Sequence, residues 1–350
     1  MSVVVTRSRS MSLLSATMVL GMAACASEET PTGPSGSASA KVAASGAYVA
    51  VDLGTLPGGS HSSAVAINSA GLVVGQSGTA KGDNHAALWE NGAVTDLGTL
   101  GGRTAIALAI SNGGQVVGSS ETPDGTVRAF LWKKGGMTDL GTPGGTGSGA
   151  VGINDRGQIL LGGSDGSVGI WERGVITPLP LPAGSTGCTP TGLNAAGRAV
   201  GQCGIGGEIR SVLWDHSGMT SLGTLGGSLT AALAISAPGR VVGIARLNPD
   251  VGSRPFVWQH GTILDLSTQG APTGFIPNAL NAAGQIVGDV GGGGHVRAIL
   301  WQHGTAIELD TSPEQDSYAF GINASGEVVG HTGSRATLWT RQRHSNTAHP

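Results

Sequence analysis

Charge is scarce in this 350-residue chain: Asp, Glu, Lys and Arg make up 12%, about half the usual share of ~25%. Aromatic residues amount to 4%. The shortage of charged helix formers excludes a coiled coil or helical bundle. With 39% hydrophobic residues, the chain is also not a charged disordered polymer. Beyond the N-terminus no apolar run approaches the ~18 residues that a membrane helix needs. No strict Gly-X-Y period exists, which excludes collagen. What is abundant is glycine, 62 residues, or about 18% against a usual ~7%. Gly-rich, β-branched and turn-rich sequence reads as all-β.

The first 24 residues read as an export signal. Arg7 and Arg9 form the positive start, and an apolar stretch too short to span a bilayer follows. Met22-Ala23-Ala24-Cys25 resembles the lipobox of bacterial lipoproteins, with Met22 where that motif prefers Leu. The resemblance implies lipidation of Cys25. Ala26 at the next position resembles outer-membrane sorting, so a cell-envelope protein facing the periplasm or exterior is expected. Residues 25–47 are rich in Ser, Ala, Gly and Pro and read as a flexible tether. Once residues 1–24 are removed, 17 basic residues face 22 acidic ones, a net charge of −5. That argues against a nucleic-acid partner.

A repeat organises the rest. The tryptophans at 89, 132, 171, 214, 258, 301 and 339 are 43, 39, 43, 44, 43 and 38 residues apart. A second ladder, an aliphatic residue followed by Asn or Ser and then Gly three positions on, starts at Ile67, Ile110, Ile153, Leu193, Ile235, Leu280 and Ile322. A third, VVG-like, ends at Gly75, Gly118, Gly162, Gly201, Gly243, Gly288 and Gly330, with Gly162 one residue late. Each unit divides into four short strands, A to D; in the second they fall at 107–110, 115–119, 128–132 and 137–140. Asn91-Gly92 signals a tight C–D hairpin. Four-stranded units of this period match a propeller blade. The end of the chain is a poor strand D, whereas YVAVDL at 48–53 resembles the D segments. The expected fold is therefore a seven-bladed β-propeller over 48–340, its last blade completed by the N-terminal strand, with a disordered tail at 341–350. Small and bulky residues alternate in strand A (Ala64 and Ala66 against Val65 and Ile67), which predicts interlocking neighbours.

The phrases DLGTLGG, AISNGGQVVGSS and RAFLW resemble the HAF repeat of probable extracellular bacterial proteins. The resemblance covers about 49–340 and implies a secreted or surface propeller. It implies no activity, substrate or catalytic residue.

Chemistry-bearing residues are few. If Asn194 and Gly197 pair across their turn, Cys188 and Cys203 face each other, and an exported protein can oxidise them to a disulfide. Four residues before each Trp stand His85, Arg128, Ser167, Arg210, Arg254, Arg297 and Arg335. The five arginines and the histidine form a possible anion-binding ring. The favoured role is structural, each Arg stacking on a neighbouring blade or pairing with loop carboxylates such as Asp124, Glu208 or Asp250, because a residue in nearly every repeat serves what every repeat needs. The Trp ladder likewise reads as inter-blade packing before carbohydrate stacking. The histidines show no zinc spacing, and no calcium loop occurs. No cofactor is expected, and no catalytic residue can be singled out. The functional expectation is a monomeric, non-enzymatic binding or scaffolding module with an extracellular protein or glycan ligand. Its unequal loops at 79–84, 121–126, 246–252 and 312–317 share one face, where a repeat protein breaks symmetry. The alternative is an enzyme acting on a glycan or peptide, which needs a non-repeated polar cluster in the channel; none is evident in the sequence.

Overall fold

The computed structural model describes residues 41–43, 48–247, 252–292, 294–310 and 314–342. The export signal and Cys25 lie outside these residues, as do most of the tether, most of the tail, and parts of the loops at 246–252 and 312–317.

Four-stranded antiparallel sheets dominate. The first runs Ser62–Ile67, Val73–Gly78, Asn84–Glu90 and Ala93–Gly98, each strand paired with the next. The same order recurs from inner strands Ala105–Ile110, Ser148–Ile153, Ser185–Leu193, Leu229–Ile235 and Phe275–Leu280. The sheets starting at Ser185 and Leu229 are joined by one parallel pairing, Ile209 with Leu229. The last set, Ser317–Ile322, Val328–Thr332 and Arg335–Arg341, takes Tyr48–Asp52 as its fourth strand. Successive inner strands contact one another, and Ser317–Ile322 also contacts Ser62–Ile67. The result is an all-β, propeller-like array of four-stranded sheets. Core clusters form between neighbouring sheets, as where Phe130 of the second packs with Val74 and Leu88 of the first.

Two boundaries differ from the sequence reading. Lys41–Ala43 lies parallel to Thr305–Ile307, so part of the tether caps a sheet edge. Such an edge offers unpaired backbone groups. Arg341, read as the first residue of the tail, pairs with Tyr48 and donates from Nε to its hydroxyl (3.3 Å).

Each inner strand carries a β-bulge absent from the sequence reading. In the first sheet Ala64 pairs with Gly75 and Ala66 with Val74, leaving Val65 unpaired. The same shift leaves Leu108, Val151, Thr191, Leu233, Asn278 and Phe320 unpaired. The simple alternation of small and bulky residues is therefore broken mid-strand. The bulge also explains the VVG ladder. A Cβ at Gly75, Gly118, Gly243, Gly288 or Gly330 would overlap the carbonyl oxygen of the facing inner strand. The exception is the third sheet, where Leu161 faces Ala150 and the glycine follows as Gly162. The C–D turns behave as expected: Asn91 and Gly92 both take positive φ, 50° and 79°.

Cys188 and Cys203 are directly opposed and bonded, with Cα atoms 4.1 Å apart. The pairing arises differently from the sequence argument. Asn194 N–H donates to Arg198, not Gly197, which shifts the register by one. The bulge at Thr191 shifts it back. Reduction, or Cys188→Ser with Cys203→Ser, should cost about 3 kcal/mol, as a 15-residue loop implies. A thiol titration of the unreduced, denatured chain should find neither sulfhydryl.

Candidate functional site

The repeated residues are largely engaged in holding the sheets together. Trp89, Trp214 and Trp339 are fully buried, and Trp258 and Trp301 nearly so. Trp214 donates from Nε1 to the Pro180 carbonyl (2.7 Å), tying its sheet to the loop of the preceding one. Trp214→Phe should therefore lower stability by about 2 kcal/mol, through one hydrogen bond and part of a ring. Its ligand binding should be unchanged; a denaturant melt beside a binding isotherm separates the two.

The cationic ladder lies on the third strand of each sheet, away from the inner strands. Most of its members have carboxylate partners. His85 Nδ1 lies 2.8 Å from Asp96, Arg128 3.2 Å from Asp139, Arg254 3.0 Å from Asp265 and Arg335 3.2 Å from Asp52. Arg210 pairs with Glu208 and donates to the Gly227 carbonyl, and Arg297 donates to the Gln315 carbonyl. Those aspartates recur for a second reason. Each also accepts a backbone N–H two residues on, as Asp96 does from Gly98, and so shapes the turn after its strand. Exposed pairs of this kind are worth under about 1 kcal/mol each.

The Asn ladder forms links between sheets. Asn68 Nδ2 donates to Ser111 O (3.1 Å), Asn154 to Asn194 O, Asn194 to Ser236 O, Asn281 to Asn323 O and Asn323 to Asn68 O (3.1 Å). The same side chains accept turn N–H groups through Oδ1, as Asn68 does from Ala70 and Leu72. An amide can do both; the Ser at 111 and 236 can only accept or donate locally. Inside this girdle is a cavity of about 330 Å3, lined by Ile67, Ile110, Ile153, Leu193, Ile235, Leu280 and Ile322 among others.

The asymmetric part of the molecule lies at the opposite end of the inner strands. At the position after the VVG triplet the residue changes from sheet to sheet: Gln76, Ser119, Gly163, Gln202, Ile244, Asp289 and His331. Tyr318 faces His331 across the strand pair. Tyr318 and Phe320 are stacked with centroids 6.1 Å apart, and His331 lies 4.8 Å and 5.4 Å from them. His331 Nδ1 is 3.2 Å from Ser63 Oγ of the first sheet. Asn278, at the bulge of the preceding sheet, donates to Asp289 Oδ1 (3.0 Å) and to the Ala319 carbonyl (3.0 Å). Ala319 N–H also reaches Asp289 Oδ1, at 3.2 Å. Asp316, just before the strand of Tyr318, accepts from Val296 N–H and lies 3.3 Å from His295 Nδ1. The imidazole and two rings thus form one cluster beside Ser63 of the first sheet, while Asp289 of the preceding sheet holds the Ala319 backbone between Tyr318 and Phe320. Sequence reasoning passed over it because it searched for what recurs. The positions of Asp289, Tyr318, Phe320 and His331 carry no recurring residue, so spacing does not mark them.

Burial governs the titration of these groups. Desolvation pushes Asp289 up to about 7, against the hydrogen bonds from Asn278 and Ala319. It also pushes His331 down, opposed by Asp316, and Tyr318 up, with Asp316 and Asp289 adding to the rise. Asp316 is held below the ordinary carboxylate range, chiefly by Val296 N–H. A carboxyl whose folded pKa is raised binds its proton more tightly in the folded chain. Stability from Asp289 is complete below about pH 4 and is lost as pH rises to about 7. Asp289→Asn should flatten this slope in a series of urea melts across that range.

No protein-family model matches the chain, and no curated protein does. Solved structures do. A streptogramin B lyase is 15% identical with a TM-score of 0.56, over 84% of this chain and 98% of that one. The β-propeller domain of the trilobed protease from Pyrococcus furiosus, described as having an open velcro topology, is 10% identical with a TM-score of 0.55, over 83% and 99%. YCF48 bound to D1 peptide is 12% identical with a TM-score of 0.54, over 87% and 100%. At these identities the likeness is one of fold, and the chain belongs to the class of β-propeller-like proteins. That class holds enzymes and peptide-bound proteins alike, so fold assigns no activity.

Proposed function

We propose that the chain is a closed seven-bladed propeller of the HAF-repeat kind, exported by residues 1–24 and lipidated at Cys25. It serves as a non-enzymatic, monomeric binding module at the bacterial cell envelope, probed by an extracellular protein or glycan. Pairing of Tyr48–Asp52 with Arg335–Arg341 and the link from Asn323 to Asn68 support closure. One observation carries the binding reading. The recurring residues have structural partners, while Tyr318, Phe320 and His331 form a partly exposed cluster of rings on the last sheet, beside Ser63 of the first. A propeller presents such a cluster at its channel mouth, beside the unequal loops.

Fractionation tests the anchor: the chain should sediment with membranes, and Cys25→Ala should release it or leave its signal uncleaved. Binding is tested by capturing envelope glycans and peptides on the full chain in detergent. Retention without turnover, lost in Phe320→Leu, is the expected result. A second reading, an enzyme acting on an extracellular glycan or peptide, draws on Asp289, whose burial pushes its carboxyl up to about 7. Consumption of a captured ligand, lost in Asp289→Asn, would establish that reading instead.

A further inference from the structure

We propose that the groove between the second and third sheets binds an acidic sugar, a sugar ring carrying a carboxylate or a phosphate. Lys133, Arg156 and Arg173 surround its charge, and Trp171 covers its ring. The site lies at the girdle end of the inner strands, away from Tyr318, Phe320 and His331, and does not depend on what those rings bind.

The groove holds a cavity of about 360 Å3, at the small end of the ~300–1,000 Å3 usual for ligand sites. Such a space suits a short saccharide. Three turns build its walls. Lys133 stands at the C–D turn of the second sheet, Arg156 in the A–B turn of the third, and Arg173 in the C–D turn of the third. Leu131, Ile159 and Trp171 supply the apolar part.

The three cations are a departure from the repeat. At the corresponding positions the groove between the first and second sheets has Glu90, Gly113 and Lys134, and that between the third and fourth has Glu172, Ala196 and His216. No other pair of neighbouring sheets holds more than one Lys or Arg there. The trio therefore does not serve what every repeat needs.

Nor do carboxylates neutralise it. None of the three forms an ion pair among the described residues. Arg156 donates from Nε and Nη2 to the Ala195 carbonyl, which fixes the guanidinium and leaves Nη1 without a partner. The one acid in the wall, Asp155, is engaged: its two oxygens accept from the backbone N–H and Nδ2 of Asn112, both at 2.7 Å. Glu172, next to Trp171, accepts from Gln158 Nε2 at 3.2 Å. A chain with a net charge of −3 thus gathers three unmatched cations in one cavity. Such a cavity concentrates a field that an anion relieves, and a guanidinium meets a carboxylate or phosphate through paired hydrogen bonds.

Trp171 narrows the class of anion. It is partly exposed, whereas Trp89, Trp214, Trp258, Trp301 and Trp339 are buried. An indole covers the C–H face of a sugar ring, and a bare inorganic anion has no use for it.

The test uses the full chain in detergent at physiological salt, titrated calorimetrically with trigalacturonate, glucose 6-phosphate, maltotriose and glutarate. At least one of the two acidic sugars should bind, and which one does tells carboxylate from phosphate. Maltotriose has no charge and glutarate has no ring, so each should bind about tenfold more weakly or worse. Lys133→Gln together with Arg173→Asn should weaken the acidic sugar about tenfold or more, the size of a lost charged hydrogen bond. Both residues are exposed, and Asn suits the φ of 51° at position 173, so the melt should not change. Trp171→Leu should also weaken binding, with its melt recorded to show a folded chain. Lys134→Gln removes a charge one residue outside the cavity wall and should change affinity by less than about twofold, because salt screens it. Failure of both acidic sugars, binding of glutarate or maltotriose as tight as theirs, binding that the double variant retains, or an equal loss in Lys134→Gln would each overturn the inference. If the acidic sugars fail while an envelope glycan or peptide is captured and lost in Phe320→Leu, the binding module stands and this site does not.

Discussion

Gly330→Val should destabilise the fold by about 4 kcal/mol or more, an unusually large loss for one substitution. Overpacking costs about 1–3 kcal/mol when the obstacle is a side chain that can yield. Here the obstacle is backbone. A Cβ at 330 would overlap the carbonyl oxygen of Tyr318 and crowd its carbonyl carbon and Ala319 Cα. Relief requires the strand pair to open at the bulge that leaves Phe320 unpaired. That displacement also moves the rings of Tyr318 and Phe320, so ligand binding there should fall with stability. Gly71→Ala is the control. Its φ of +82° strains an alanine, but nothing lies within 4 Å of the added carbon, so the cost should be near 1 kcal/mol. Urea melts of both variants check the contrast. Similar small losses would mean that the glycine ladder reflects turn preference and not close approach.

The period was legible because every unit must satisfy the same neighbours. One Trp per unit fills the space between sheets, an Asn in five units links one turn to the next, and an Asp in four both shapes a turn and pairs a cation. Such positions recur for a physical reason, so spacing alone exposes them. The bulge was not legible. It follows from backbone register, and the residues that leave the ladder range from Val65 to Thr191 to Asn278, with no shared chemistry. The Cys188–Cys203 bond was reached through a register in which two one-residue shifts cancel. Agreement there owed something to compensation. The imidazole and ring cluster escaped for a third reason: only the fold brings Tyr318, Phe320 and His331 to Ser63, far away in sequence, and Asp289 to the Ala319 backbone.

Removing Tyr48–Asp52 should be the most damaging deletion outside the inner strands. Those residues pair with Arg341 through Thr337 and cover Trp339, which is fully buried. A tryptophan buries 150–250 Å2 at roughly 25 cal/mol per Å2, so uncovering one face of Trp339 alone costs about 2 kcal/mol. Loss of the backbone pairs adds about 1 kcal/mol each, offset in part by the entropy of five fewer ordered residues. The deletion should therefore lower the melting temperature far more than Arg335→Ala, which removes only the exposed pair with Asp52. A reciprocal test uses the register itself. Val49 faces Thr340, so cysteines at both positions can form a bond that locks the first strand to the last. In a closed ring that bond should raise the melting temperature and slow unfolding, since the ring can then no longer open at this seam. If the last sheet is stable without its fourth strand, deletion and lock will both leave the melt almost unchanged, and closure through Tyr48–Asp52 will have to be abandoned.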